Sequence, residues 1–185
     1  MSATASNMVP LGTKAPEFNL LDTTTGSFKS LNDLKSDKAT VIMFICNHCP
    51  FVKHMDMQLV KLSSEYMAKG VAFIAISSND VDNYPQDAPS LMTEEARNVG
   101  YPFPYLYDDT QEVAKAYQAA CTPDFFIFDA SMSCVYRGQL DDSRPGNGRP
   151  VTGSDLRNAI EEILNGHDVS KAQIPSIGCN IKWKI

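Results

Sequence analysis

No stretch of this sequence is apolar for long enough to cross a bilayer, which excludes a transmembrane helix. Basic clusters are also missing. Lys and Arg number 16 against 22 Asp and Glu, a formal net charge of −6. An acidic chain without a positive patch is a poor candidate for nucleic acid or an anionic membrane surface. Met1 to Val9 has neither the basic start nor the apolar run of a signal peptide, so the expected location is cytoplasmic. There is no internal repeat and no low-complexity tract. No second C-x-x-C and no H-x-x-x-H is present, so a zinc site would lack its second ligand pair.

What remains is ordinary globular composition. Hydrophobic residues make up 43 % and charged residues 21 % of 185, which rules out disorder as the dominant state. The length suits one domain over 1–185, with a flexible stretch over 1–12 and a tail over 167–185 that packs back. Five cysteines cannot all pair internally, and a reducing compartment disfavours structural disulfides. They read as free thiols, metal ligands or redox groups.

Two short strands, Phe18–Leu21 and Ser27–Ser30, flank a turn over Asp22–Gly26 and predict an N-terminal hairpin. Val41–Ile45 is a continuous apolar run, as in a strand buried on both faces. Val52, Met55, Leu59, Leu62 and Tyr66 recur at helical spacing over Pro50–Lys69, before a stop at Gly70. Val71–Ile76 predicts a second buried strand and Pro89–Val99 a looser helix. Asp109 with Glu112 resembles a capping box opening a short helix. Asp124–Asp129 and Cys134–Leu140 predict a late hairpin, and Leu156, Ala159, Ile160, Ile163 and Leu164 face the core from a last helix. The order predicts an α/β fold, a central mixed β-sheet flanked by helices.

Cys46 and Cys49 form the C-x-x-C. Cys46 follows a buried strand, Cys49 lies in the first turn of a helix, and Pro50 fits where amides have no intrahelical partner. The positive end of the helix favours a thiolate, and the i, i+3 spacing brings the sulfurs together. Two thiols, one activated, are what dithiol–disulfide exchange needs. Half of a metal site and plain burial are the competing readings.

Four motifs together carry a resemblance: Phe44-Ile45-Cys46-Asn47-His48-Cys49-Pro50, Cys121-Thr122-Pro123-Asp124-Phe125-Phe126, Leu140-Asp141-Asp142-Ser143-Arg144-Pro145 and Gly178-Cys179-Asn180-Ile181-Lys182-Trp183. On these the chain resembles the thioredoxin-like superfamily, in particular its peroxiredoxin-like proteins related to alkyl hydroperoxide reductase and thiol-specific antioxidant. The resemblance runs from Ala15 to Trp183 and implies a thioredoxin-like fold. It also implies a cis-proline loop at Thr122-Pro123, opposite the cysteines, that presents its backbone to substrate. Asn47, His48, Thr122 and Pro123 are then the expected substrate contacts. The sequence departs from the superfamily in three places. Ile45 stands where thioredoxins carry Trp, Thr40–Ile45 holds no carboxylate, and the peroxidase pattern P-x-x-x-[TS]-x-x-C is absent before either cysteine.

The leading function expected is a thiol–disulfide oxidoreductase acting on a protein or small-molecule disulfide or thiol, with no cofactor and no metal. Cys46, expected to be the more exposed and more acidic thiol, attacks, and Cys49 resolves. A thiol peroxidase on the same dithiol is the first alternative. A carrier binding a soft ion through Cys46, Cys49 and a His is the second. His48, if protonated, favours thiolates. Cys121, beside the cis-proline, and Cys179, on the tail, are candidate auxiliary thiols, with Cys121 or Cys46 as the expected partner of Cys179. His54, His167 and Cys134 read as structural, as does the Phe125, Phe126, Phe128 set. Asp141, Asp142 and Arg144 read as a loop held by local ion pairs.

Overall fold

A computed structural model describes residues 3–185. Its strands are β1 (Ala3–Ala5), β2 (Asn19–Asp22), β3 (Ser27–Ser30), β4 (Ala39–Phe44), β5 (Ala72–Ser77), β6 (Tyr105–Tyr107), β7 (Cys121–Thr122), β8 (Asp124–Asp129), β9 (Cys134–Gly138) and β10 (Ile177–Asn180). Its helices are α1 (Leu31–Leu34), α2 (Pro50–Met67), α3 (Pro89–Val99), α4 (Glu112–Ala116) and α5 (Ser154–Leu164), with a 3-10 turn at Pro85–Asp87.

Seven strands form the main sheet in the order β3-β2-β6-β5-β4-β8-β9. The pairs β4·β5 and β5·β6 are parallel and the others antiparallel, so the sheet is mixed. The two-residue period of β4 divides its side chains between two cores. Val41 and Met43 join Leu59, Met92 and Ile160, which places α2, α3 and α5 on one face. Ile42 and Phe44 join Leu31, Ala114 and Phe126, which places α1 and α4 on the other. Both faces of β4 are covered, which is why its sequence is a continuous apolar run.

A second, three-stranded sheet runs β1-β10-β7. It gives the first described residues, expected to be a flexible stretch over 1–12, specific backbone contacts. Ala3–Ala5 pairs with Cys179–Ile177, the Ser6 amide donates to the Ser176 carbonyl at 2.8 Å and the Gly12 amide to the Cys134 carbonyl at 2.8 Å. Residues 1 and 2 lie outside the described residues. Small side chains hid this strand, because backbone pairing there needs no apolar alternation.

The capping box also moves. The residue before α4 is Gln111, at φ 63°, with no side-chain cap. The buried Asp108 carboxylate accepts from the Ala114 amide at 2.9 Å instead, while Asp109 takes the hydroxyl of Tyr107 and the ammonium of Lys184.

Candidate active site

Strand β4 ends at Phe44, and the Ile45 amide makes one more sheet bond, to the Ile76 carbonyl at 3.0 Å. The chain then turns sharply through Cys46-Asn47-His48. Cys49 takes the capping position and Pro50 the first helical one. The positive end of an 18-residue helix therefore lies at Cys49.

Facing this turn is the Thr122-Pro123 peptide, which is cis. The Thr122 hydroxyl lies 3.5 Å from Cys46 Sγ. Cys49 Sγ lies 3.1 Å from the Thr122 carbonyl oxygen and 2.9 Å from Cys179 Sγ. Cys49 is thus flanked by two other thiols. Both thiols are buried, Cys46 at 2 % exposure and Cys49 at 0 %, so Cys46 is the more exposed of the pair by a narrow margin only.

The electrostatics of the pair reverse the expectation. The Cys49 thiol is lowered from 9.0 to about 4, first because Cys46 donates a hydrogen bond to it; Cys179, Thr122 and the Val52 amide add to this against the opposing effect of burial. The Cys46 thiol is pushed well above the usual range by its bond to Cys49, by burial and by the Asp87 carboxylate. Cys49 sits at the positive end of α2 in contact with Cys179, whereas an acid stands beside Cys46. Both directions favour ionisation of Cys49 over Cys46. Cys179 is raised to about 12 by burial and by its bond to Cys49.

Asp87 was not legible as a site residue. It sits in the turn Tyr84-Pro85-Gln86-Asp87 and is fully buried. Its carboxylate accepts from the Asn47 amide at 2.8 Å and the Asn79 side chain at 2.8 Å, and it meets His48 Nδ1 at 2.6 Å. Tyr84 stacks on the His48 ring at 5.7 Å. The only hint in the sequence is an acid in a proline-flanked turn, which does not say where the turn packs.

Asn47 turns inward. Its side chain donates to the Gln86 carbonyl at 2.9 Å and accepts from the Tyr105 hydroxyl at 3.0 Å, so its amide braces the loop where a substrate contact was expected. His48 keeps a partly exposed ring at the surface. Cys121 points away from the dithiol. In the β10·β7 register Cys179 is opposite Thr122 and Asn180 opposite Cys121, so alternation puts Thr122 and Cys179 on the dithiol side. Cys121 Sγ lies 3.6 Å from the Pro123 carbonyl, and burial raises its thiol far above the usual range. The partner of Cys179 is therefore Cys49, in place of the Cys46 or Cys121 expected.

A donor atom from each of Cys46, His48 and Asp87 lies within 4.8 Å of the others. Asp87 already serves three donors, one of them His48, so two of these three groups are committed to each other. A cleft of about 620 Å³ opens beside the site, lined by Asn83, Tyr84, Asn180, Lys182 and Trp183 among others. Its wall includes Tyr84, whose ring stacks on His48. In the loop after β9, the Asp141 carboxylate accepts three amides, from Ser143, Thr152 and Gly153. His54 on α2 bonds the Ser143 hydroxyl at 2.7 Å.

Residues 11–137 match the AhpC/TSA family. A search of curated proteins finds no match. Among solved structures, an uncharacterized conserved protein from Geobacillus kaustophilus is 62 % identical, with a TM-score of 0.98 over 100 % of this chain and 97 % of its own. A hypothetical protein from Sinorhizobium meliloti is 48 % identical, with a TM-score of 0.95 over 98 % of each chain. A thioredoxin-family thiol:disulfide interchange protein from Chlorobium tepidum, 19 % identical, aligns with a TM-score of 0.63 over 85 % of this chain and 99 % of its own. The fold is thioredoxin-like. No helix among the described residues is long and apolar enough to cross a membrane.

Proposed function

The chain belongs to the AhpC/TSA family, and from that premise we propose that its own chemistry is thiol–disulfide exchange through Cys46 and Cys49. The observation that carries this is a Cys46-x-x-Cys49 turn at the head of α2, set against the cis Thr122-Pro123 peptide, with the shifts favouring ionisation of Cys49. In the reduced protein the pair holds two electrons. A thiolate attacks one sulfur of a substrate disulfide, the substrate's other sulfur leaves as thiolate, and the second cysteine then displaces the bound sulfur. Substrate leaves as two thiols and the protein keeps a Cys46–Cys49 disulfide. Substrate approaches past the partly exposed His48, and Thr122 and Pro123 face the cysteines from the other side. The partner is a protein or small-molecule disulfide, and the residues named act without a cofactor.

Family membership itself favours one other reading, a thiol peroxidase. There the thiolate attacks the O–O bond and becomes a sulfenic acid, which the neighbouring thiol converts to a disulfide with loss of water. The missing P-x-x-x-[TS]-x-x-C pattern speaks against it. The soft-metal reading is weaker, because His48 and Asp87 already bond each other.

The two enzymatic readings separate in one experiment. Reduced protein is mixed with insulin or with hydrogen peroxide, and thiol loss is followed with time. Exchange predicts fast oxidation by the disulfide, slow oxidation by peroxide, and loss of turnover in both Cys46→Ser and Cys49→Ser. Faster oxidation by peroxide than by disulfide would overturn the exchange reading.

A further inference from the structure

We propose that Cys179 is a third redox cysteine, which exchanges with the Cys46–Cys49 disulfide to form an alternative Cys49–Cys179 disulfide. This rests on the reading of Cys46 and Cys49 as a redox pair.

The geometry is specific. Cys179 Sγ lies 2.9 Å from Cys49 Sγ, and an S–S bond is about 2.05 Å long. Closing the gap takes under about 1 Å of movement, within reach of side-chain adjustment. Cys49 is the shared member, since Cys46 lies three residues before it across the turn and Cys179 touches it from β10. The position of Cys179 is not left to a loose tail. Strand β10 is held by β1 along one edge and by β7 along the other. Gly178 lets it lie flush on the cis-proline segment, because a Cβ there would meet the Thr122 carbonyl oxygen at 1.9 Å. No other residue type fits that approach without moving the strand. The Ser176 hydroxyl adds a bond to the Pro123 carbonyl at 2.7 Å.

The step balances within the chain. Cys179, as thiolate, attacks Cys49 Sγ of the Cys46–Cys49 disulfide. The Cys49–Cys179 bond forms, the Cys46–Cys49 bond breaks, and Cys46 leaves with the electron pair. Cys46 takes up the proton that Cys179 lost. The number of disulfides is unchanged, so no external oxidant or reductant enters. The product ties the tail covalently to the head of α2 and leaves Cys46 as a single free thiol beside Thr122.

The test uses the full chain with Cys46→Ser. It is incubated with oxidised glutathione, trapped with an alkylating agent and digested without reduction. The expected result is one peptide pair linked through Cys49 and Cys179, with release of two glutathione thiols per chain. Finding both residues alkylated, or carrying only glutathione, overturns the proposal. Should Cys46→Ser fail to fold, the wild-type chain equilibrated in glutathione buffers decides. Both linkages are expected there, and Cys179→Ala should leave only Cys46–Cys49. A wild-type map with no Cys49–Cys179 peptide at any poise overturns it equally. Failure of the exchange reading looks different: no turnover of insulin by wild type, with the Cys49–Cys179 peptide still formed.

Discussion

Two buried polar clusters meet at one cis-proline, and they are built in opposite ways. On the side of Asp124, a carboxylate and the guanidinium of Arg137 pair at 2.9 Å with both side chains wholly buried. Every strong donor there is used. Arg137 also reaches Ser6 Oγ at 3.0 Å and the Gln118 carbonyl at 2.7 Å, and it lies over the Phe126 ring at 4.4 Å. Ser6 in turn donates to Asp124 at 2.8 Å. On the side of Thr122 sit three thiols, which are weak donors and weak acceptors. The first cluster permits one arrangement. The second permits several, because sulfur atoms can trade covalent partners with little movement. A rigid ionic anchor on one side of Pro123 thus holds the frame within which a set of exchangeable bonds operates on the other.

The largest expected effect breaks the anchor. Arg137→Ala leaves the Asp124 carboxylate buried without its counter-charge and should lower unfolding free energy by about 3–5 kcal/mol in urea titrations. Cys179→Ala, also buried, should cost only about 1 kcal/mol, the centre of the range for single substitutions. Equal losses in the two variants would erase the contrast between clusters.

Next in size is Asp87→Asn. It weakens charge-assisted bonds to the cysteine loop, at a cost of roughly 1–3 kcal/mol. Removing that negative charge should also make Cys46 easier to ionise, since Asp87 helps hold it up. Thiolate absorbance, followed by pH titration, reads the second effect directly. An unmoved or raised Cys46 midpoint would mean that Asp87 does not act on the dithiol.

The same titration sharpens the thiol side. Reduced wild type should keep one thiolate down to about pH 4, and Cys49→Ala should lose it. Cys179→Ala should raise the midpoint, because one donor to Cys49 is gone. A thiolate that survives Cys49→Ala would belong to Cys46 and restore the order expected from sequence.

A further test reads stability against pH. Cys49 ionises near 4 when folded and near its ordinary 9.0 when unfolded. Between those values the unfolded chain binds the extra proton, so stability rises with pH. This contribution is complete above about pH 9 and lost as pH falls through about 4. The advantage of reduced wild type over Cys49→Ser should therefore be larger at pH 8 than at pH 5. An advantage that is the same at both would contradict the thiolate assignment.

Much of the frame was legible because it is locally encoded. The apolar run of β4 and the helical spacing from Val52 to Tyr66 appear as expected, and the mixed sheet between helices follows from their order. The short pieces were not. Ala3–Ala5, Tyr105–Tyr107 and Ile177–Asn180 are strands only because a distant edge receives them. At the site, the C-x-x-C and Thr122-Pro123 are marked by their own residues. The relative acidity of the two cysteines is not, since it depends on Cys179, 130 positions away, and on Asp87 in a turn after β5. Side-chain identity within a motif says which atoms are available; the partners that set their protonation come from elsewhere in the chain.

The small sheet has a consequence for the order in which the molecule is made. Among the described strands its central one, β10, is synthesised after all the others, and it joins β1, which precedes them. Closing a loop of nearly the whole chain carries an entropic cost that grows only with the logarithm of its length, so the pairing is affordable but late. Until Cys179 has left the ribosome, it cannot reach Cys49, and Cys46 is the nearest thiol in sequence. A nascent chain that meets an oxidant early closes the short-range bond, and the longer-range alternative becomes available only once the first and last strands have met.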